Sequence, residues 1–599
     1  MTNAIYLEVN TSKEDYQSSK IMKLPLESLI IYCIYVHCNP EDMILNFVYT
    51  STKLSQESVA LQDENLIVIN EKDVPWQIMC TYPVVMFNDT ILAGLCAVAR
   101  HICKFITRPH SLYEHEEGLL GFRKSCLQAP NEASIWTKFC EVDIIRTVKE
   151  MFSTASLDKV PKNLVRFENH LRKPVRMHNV YKIAREINKG VLKVSEADAE
   201  KTPVKEEDKN DKNRVPKSRK WKSNTKKDID IDCTTKIKDL NISHQYAEGP
   251  FVTLADLVLF PSYHIIVQFF GGSFESLFPY SYKWYKNLLN TLELKSLVDK
   301  ISKLEIKNTI MECNAIPETE DVSLYKCDPK RHNPKKRLFT KEDDIIKALS
   351  LLQNDMELNV DDNKLDCNIN WADVPDGANP TAGHLPDERV LRKSQQLENL
   401  ALAVLSVAQD GDIIVDFCSG SGHLGILVAH LLPNCTIILL ENKEQSLLRA
   451  RKRVHEMGMK NVLFFQCNLD FFVGNFDIGI ALHACGIASD LVLDKCLHAK
   501  AKFVLCPCCY GSLHATDRLA YPRSYKFSNL PINQYLCIGH AADQTHNDHP
   551  LTVRGAKCMA IIDSDRGHLA QEFGYTVTLT RLKPLSCTPK NNLLIGVPS

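Results

Sequence analysis

Asp416-Phe417-Cys418-Ser419-Gly420-Ser421-Gly422-His423-Leu424-Gly425 decides how this chain is read. The apolar run Ile413-Ile414-Val415 enters it and Ile426-Leu427-Val428-Ala429 leaves it, the pattern of a strand, a tight turn and a helix. Glycines in G-x-G-x-x-G order let the backbone turn sharply and come close to a nucleotide-like ligand. Any strand-to-helix turn can use glycine, so the surrounding sequence has to choose the ligand.

Downstream, Thr436-Ile437-Ile438-Leu439-Leu440 predicts a second strand, closed by Glu441, which stands 19 residues beyond Gly422. A carboxylate at that strand end accepts both hydroxyls of a ribose. Val462-Leu463-Phe464-Phe465 leads to Asn468 and Asp470, placed to bond an adenine ring. Asp477-Ile478-Gly479-Ile480-Ala481-Leu482 opens into His483-Ala484-Cys485-Gly486, and Phe503-Val504-Leu505 into Cys506-Pro507-Cys508-Cys509-Tyr510-Gly511. Apolar strands alternating with helical spacers such as 444–456 read as βαβ units and a parallel sheet, whose ligands lie beyond the carboxyl strand ends. Every residue singled out falls at those ends. Asp416 then discriminates. A pyrophosphate relies on backbone amides and the helix dipole, and an acid beside the turn opposes it. S-adenosylmethionine, with an ammonium and a sulfonium, gains from the same acid.

With Leu482-His483-Ala484-Cys485-Gly486 and Pro507-Cys508-Cys509-Tyr510 added, the region 371–599 resembles a group of methyltransferases that includes RNA-modifying members. Its lead-in, Trp371-Ala372-Asp373, Asn379-Pro380, Leu385-Pro386, Arg389, Arg392-Lys393 and Gln396-Leu397-Glu398-Asn399-Leu400, belongs to the same resemblance. The resemblance implies a Rossmann-like fold with a mostly parallel seven-stranded sheet, finished by hairpin strands at 574–579 and 592–597. It implies S-adenosylmethionine as cofactor, with Asp416, Gly420 and Gly422 on its methionine part, Glu441 on its ribose and Asn468 or Asp470 on its adenine. No Asp/Asn-Pro-Pro-Tyr follows the fourth strand, so methylation of an exocyclic base amine is not expected.

Methyl transfer from a sulfonium asks the protein to align the acceptor and, where needed, remove its proton. His483 is the best-placed base or orienting group; a backbone-bonded histidine at a strand end is the plain alternative. Cys506, Cys508 and Cys509 have three readings. Buried or substrate-lining thiols are favoured over a nucleophile for a pyrimidine ring and over a metal site shared with Cys485 and His483, so no metal is expected. Tyr510 either stacks on a base or belongs to the core. The stretch 512–574, with His540, Asp543, His546, Asp548, His549 and Arg554, is long for a connection and reads as a lid or substrate-reading loop.

The amino-terminal half differs in kind. Thr253-Leu254-Ala255-Asp256 is a capping box opening an apolar helix. Together with Gly249-Pro250-Phe251-Val252 it resembles the buried box of the all-helical domain of glutathione transferases. Helical patterns over 134–152, 160–172, 180–189 and 279–292 agree with a bundle across 129–304. Upstream, 4–9 and 43–49 read as strands. Tyr82-Pro83-Val84-Val85-Met86-Phe87 resembles the cis-proline segment of a thioredoxin-like domain, expected over 1–110. That resemblance implies a cis bond at Pro83 and a glutathione-gripping role for Asp89 and Thr90. No Tyr, Ser or Cys sits in a convincing turn after the first strand, Ser12 and Tyr16 lying in a polar stretch. Glutathione binding is therefore not expected, and the half reads as a degenerate module for packing or protein contacts. The whole chain, a multidomain α/β protein, resembles the glutathione S-transferase C-terminal domain-containing family.

At 599 residues the chain exceeds a single core, and its net charge of −1 supplies no global field for nucleic acid. Local patches remain. The basic stretch 198–238 reads as a solvated insertion. Lys330, Arg331, Lys335, Lys336 and Arg337, in the linker 305–370, are candidates for RNA phosphates. No apolar run reaches the roughly 18 residues of a bilayer span. The 22 scattered cysteines fit reduced thiols and a cytoplasmic location, with a nuclear one open. The rival to an RNA methyltransferase is a non-catalytic scaffold built on vestigial folds.

Overall fold

The computed structural model describes residues 3–50, 58–106, 118–131, 133–153, 159–177, 179–189, 231, 235–304, 316–318, 324, 341–353, 355–361, 369–383, 386–545 and 551–599. The amino-terminal part supplies β1 (Asn3–Val9), β2 (Ile21–Pro25), β3 (Ile44–Tyr49), β4 (Ser58–Gln62), β5 (Ile67–Asn70), β6 (Val84–Phe87) and β7 (Thr90–Ala93). The carboxyl-terminal part supplies β8 (Val360–Asp361), β9 (Ile413–Phe417), β10 (Thr436–Glu441), β11 (Val462–Gln466), β12 (Ile478–Cys485), β13 (Lys502–Cys508), β14 (Tyr575–Arg581) and β15 (Asn592–Pro598). β2 and β4 pair apart from the rest; the other strands form one sheet in the order β5-β3-β1-β6-β7-β11-β10-β9-β12-β13-β15-β14-β8.

The expected seven-stranded sheet is therefore not a separate body. β7 pairs parallel with β11, setting Thr90 against Phe464, Ile91 against Phe465 and Leu92 against Gln466. The physical reason lies in β11: Phe464 and Phe465 point to opposite faces and both are buried, so a bare edge there would be apolar and unpaired. One core cluster accordingly mixes Cys80, Val84 and Ile91 with Leu440, Phe465 and Phe472.

β9 to β13 read as nearly continuous apolar runs because helices cover both faces. On one side lie α7 (Asp387–Leu405), α8 (His423–Leu431) and α9 (Glu444–Glu456), with Leu397, Ile426 and Leu447 over Ile414 and Leu439. On the other lie α10 (Ile487–Ala499) and α12 (Thr552–Glu572), with Leu493 and Leu569 over Val415 and Phe417. The amino-terminal helices α1 (Leu26–Cys38), α2 (Leu95–Cys103), α3 (Ile144–Ser153), α4 (Lys162–Arg172), α5 (Leu254–Phe270) and α6 (Pro279–Asn290) share another core, where Phe167, Tyr263 and Trp284 meet. The capping box opens α5 as expected. Asp256 accepts from Thr253 N at 2.9 Å, Ala247 N at 2.7 Å and Trp284 Nε1 at 2.8 Å. The Tyr82–Pro83 bond is cis, also as expected.

The described part of 512–574 is not simply a loop. It includes α11 (Ile532–Ala542) and α12, fixed by the fully buried Arg566, which donates to Asp490 at 2.9 and 2.8 Å and to Asp563 at 2.9 Å. The basic cluster 330–337, His546, Asp548, His549 and most of 198–238 lie outside the described residues. Among the described residues no helix is long and apolar enough to cross a membrane.

Candidate active site

Parallel register sets Asp416 beside Leu439 of β10 and Ile480 of β12, so the ends of three strands converge on the glycine turn. Gly420 and Gly422 take φ of 58° and 74°, the left-handed region that favours glycine. Gly420 N donates to Glu441 Oε2 at 2.9 Å, and Lys443 N donates to Glu441 Oε1 at 2.8 Å. Each carboxylate oxygen keeps a further lone pair. A Cβ at Gly420 would meet nothing within 4 Å, so the turn faces open space there. Ser419 Oγ is buried and unpartnered among the described residues.

Asp416 sits beneath the turn, 2% exposed, with Oδ2 accepting from Gly425 N at 2.9 Å. Burial pushes its pKa up to about 7, while the Gly425 amide and the nearby Lys393 oppose the rise. Asp416 thus acts on the cleft through the turn it braces. Asn468 is buried, its Oδ1 accepting from Asn442 Nδ2 at 3.4 Å. Asp470 is not gathered with it: its carboxylate is paired outward with Arg518 at 2.6 Å, because Leu469–Phe471 forms a turn that swings it away.

His483 has φ 66° and its Nε2 lies 3.0 Å from Gln396 Oε1. Gln396 Nε2 donates to Cys587 O at 2.8 Å, which orients the amide oxygen toward the imidazole. Nε2 therefore carries the proton and Nδ1 is the acceptor. Burial pushes the His483 pKa down to about 4, helped by Lys393, so the ring is neutral at pH 7.

The cysteines separate. Cys485 Sγ lies 3.2 Å from both Cys508 Sγ and Cys509 Sγ, whereas Cys506 is buried with Sγ 3.6 Å from Lys590 O. The hydrogen bond from Cys508 is the main cause lowering the Cys485 pKa to about 6. His483 points to Gln396 and is not one of this thiol group. Of the two readings of Tyr510, the structure takes the core. Its ring is fully buried and its hydroxyl donates to Asp563 Oδ2 at 2.7 Å, which removes it from any base-stacking surface.

Three residues were not singled out as site residues from sequence. Lys393 and Gln396 stand three apart on α7, one helical turn on the same face, and both reach the site. Arg453 of α9 donates to Ser421 O and to Gly377 O, tying the glycine turn to the lead-in segment. Periodicity marked 444–456 as helix without showing that a buried arginine faces inward.

Beside the cis proline lies an open cavity of about 550 Å³ whose lining includes Thr81, Tyr82, Pro83, Glu141 and Phe471. Glu141 Oε1 accepts from Cys96 N at 3.0 Å in the first turn of α2. Thr81 N donates to Phe471 O at 2.8 Å and Val473 N donates to Met79 O at 2.9 Å. Asp89, which the resemblance places against glutathione, sits in the hairpin between β6 and β7 and pairs with Arg451 at 3.0 Å and His455 at 2.5 Å of α9. Thr90 is the first residue of the joining strand β7.

A family model described as a methyltransferase domain matches residues 392–516, the segment holding the glycine turn, Glu441, His483 and the cysteines. The glutathione S-transferase C-terminal domain-containing protein homolog of Drosophila melanogaster is 41% identical over 99% of this chain and 98% of its own. The Homo sapiens protein of that name is 33% identical over 96% of each. Magnesium protoporphyrin IX methyltransferase from Synechocystis, solved with bound SAM, aligns with 38% of this chain and 99% of its own at 12% identity, with a TM-score of 0.22; a likeness that faint carries no argument here. With relatives this similar over nearly their whole length, the chain belongs to the glutathione S-transferase C-terminal domain-containing family.

Proposed function

We propose that this chain is an S-adenosylmethionine-dependent methyltransferase whose amino-terminal half is a thioredoxin-like and helical module welded to the catalytic domain. The observation that carries the reading is Glu441. Its carboxylate closes the glycine turn through Gly420 N, with one further lone pair left on each oxygen. The residues fit the cofactor. Glu441 would take the ribose hydroxyls, Asn468 the adenine, and the turn from Ser419 to Gly422 the methionine part, with Ser419 Oγ gaining a partner. When bound, S-adenosylmethionine supplies the electrophilic methyl group. Asp416 holds the helix start in place, and neutral His483, fixed by Gln396, directs Nδ1 as an acceptor toward the incoming substrate.

RNA is the acceptor class proposed, on the basic cluster Lys330, Arg331, Lys335, Lys336 and Arg337 beside the domain in sequence. Glutathione conjugation is not part of the reading, because Asp89, where the resemblance puts the grip on glutathione, is paired with Arg451 and His455. The test is transfer of a radiolabelled methyl group from S-adenosylmethionine to total RNA. Label in RNA that is lost with Glu441→Ala supports the proposal; equal label with both proteins contradicts it.

A further inference from the structure

The tips of β12 and β13 bring three sulfurs together outside the cofactor residues. After a bulge, the parallel register sets Cys485 against Cys508, and Cys509 turns back at φ 55°. A left-handed backbone at a residue other than glycine, asparagine or aspartate is uncommon and is held by its surroundings. The result is a triangle: two Sγ–Sγ separations are 3.2 Å, and all three atoms lie within 4.8 Å of one another. A disulfide requires about 2.05 Å. Tetrahedral zinc with Zn–S of about 2.3 Å spaces its sulfurs about 3.8 Å apart. The triangle brackets the second distance and not the first. Cys485 is exposed, leaving one side of the triangle open.

We propose that Cys485, Cys508 and Cys509 form a three-thiolate site for a thiophilic divalent cation, zinc, with a fourth position open to water. On binding, three S–H bonds break, three Zn–S bonds form, three protons leave and a water oxygen completes the shell; no electrons are transferred. Cys506, bonded elsewhere, is outside the site. This inference does not depend on the methyltransferase reading and survives its failure.

The test uses the reduced full chain, dialysed against zinc and assayed for metal by mass spectrometry. One zinc per chain is expected, with Cys506→Ala retaining it. Cys485→Ser and Cys509→Ser are each expected to weaken zinc binding by about 100-fold or more. Both serine variants should keep the melting temperature of the metal-free protein. A cobalt(II)-loaded sample should show a thiolate-to-cobalt charge-transfer band that either variant diminishes. The proposal is overturned if the wild-type chain, shown by alkylation to have all three thiols reduced, retains no zinc. It is equally overturned if both serine variants bind zinc as the wild type does.

Discussion

At the scale of single residues, Gly420 in the turn and Gly425 in the first turn of α8 separate binding from folding. A Cβ on Gly425 would lie 2.2 Å from Leu439 Cδ2 and 3.0 Å from Asp416 Oδ2. Overpacking of that kind costs about 1–3 kcal/mol, so Gly425→Ala is expected to lower the melting temperature by several degrees. Gly420→Ala meets open space and adds only left-handed strain of about 1–2 kcal/mol, yet it fills the side facing the proposed cofactor. It is expected to weaken S-adenosylmethionine binding by more than about tenfold with the smaller loss of stability. Scanning and titration calorimetry on both variants check the ranking, and the reverse order contradicts it. The glycine turn was legible in the sequence because its left-handed backbone follows residue type, whereas Asp416, read as a contact to the cofactor's methionine part, braces the turn from beneath. Tyr510 and Asp470 were not legible. Whether an aromatic ring faces a groove or the core depends on Asp563, 53 residues away, and Asp470 was claimed by Arg518, 48 residues away.

At the scale of elements, the joint between β7 and β11 makes one sheet of two halves. Strand patterns at 4–9, 43–49 and across 413–505 were readable from alternation and apolar runs. Edge partnership was not, since three residues of β7 carry no signal naming β11 as their neighbour. Asp89→Ala removes the pairs with Arg451 and His455 at a partly exposed site and is expected to cost about 1 kcal/mol; denaturant unfolding measures it. Residues 369–599 expressed alone would expose β11, with Phe464 and Phe465 on its two faces. That fragment is expected to aggregate. Light scattering checks this, and a monomeric fragment melting like the full chain contradicts the joint's importance.

At the scale of the whole molecule, buried imidazoles set a response to acid. Burial lowers His101, His264, His423 and His483 to about 4, against 6.5 in the unfolded chain. The unfolded state thus binds protons first, so the stability these groups contribute is present above pH 6.5 and is lost as pH falls toward 4. At pH 5 each one destabilises by about 2 kcal/mol. Asp416 and Asp256, lifted by burial to about 7 and 6, act in the opposite sense over the same window. His101→Gln is expected to shrink the stability lost between pH 7 and pH 5 by about 2 kcal/mol. Denaturant melts at the two pH values test this, and an unchanged difference contradicts it. Above all these effects stands the claim that the strand-end cleft at the glycine turn takes a sulfonium cofactor, while on the cis-proline side Asp89 is paired to α9 and does not grip glutathione. Titration calorimetry of the full chain with S-adenosylmethionine and with glutathione tests it most directly. The account predicts saturable heat with S-adenosylmethionine that Glu441→Ala abolishes, and none with glutathione; heat with glutathione alone, or with neither ligand, contradicts it.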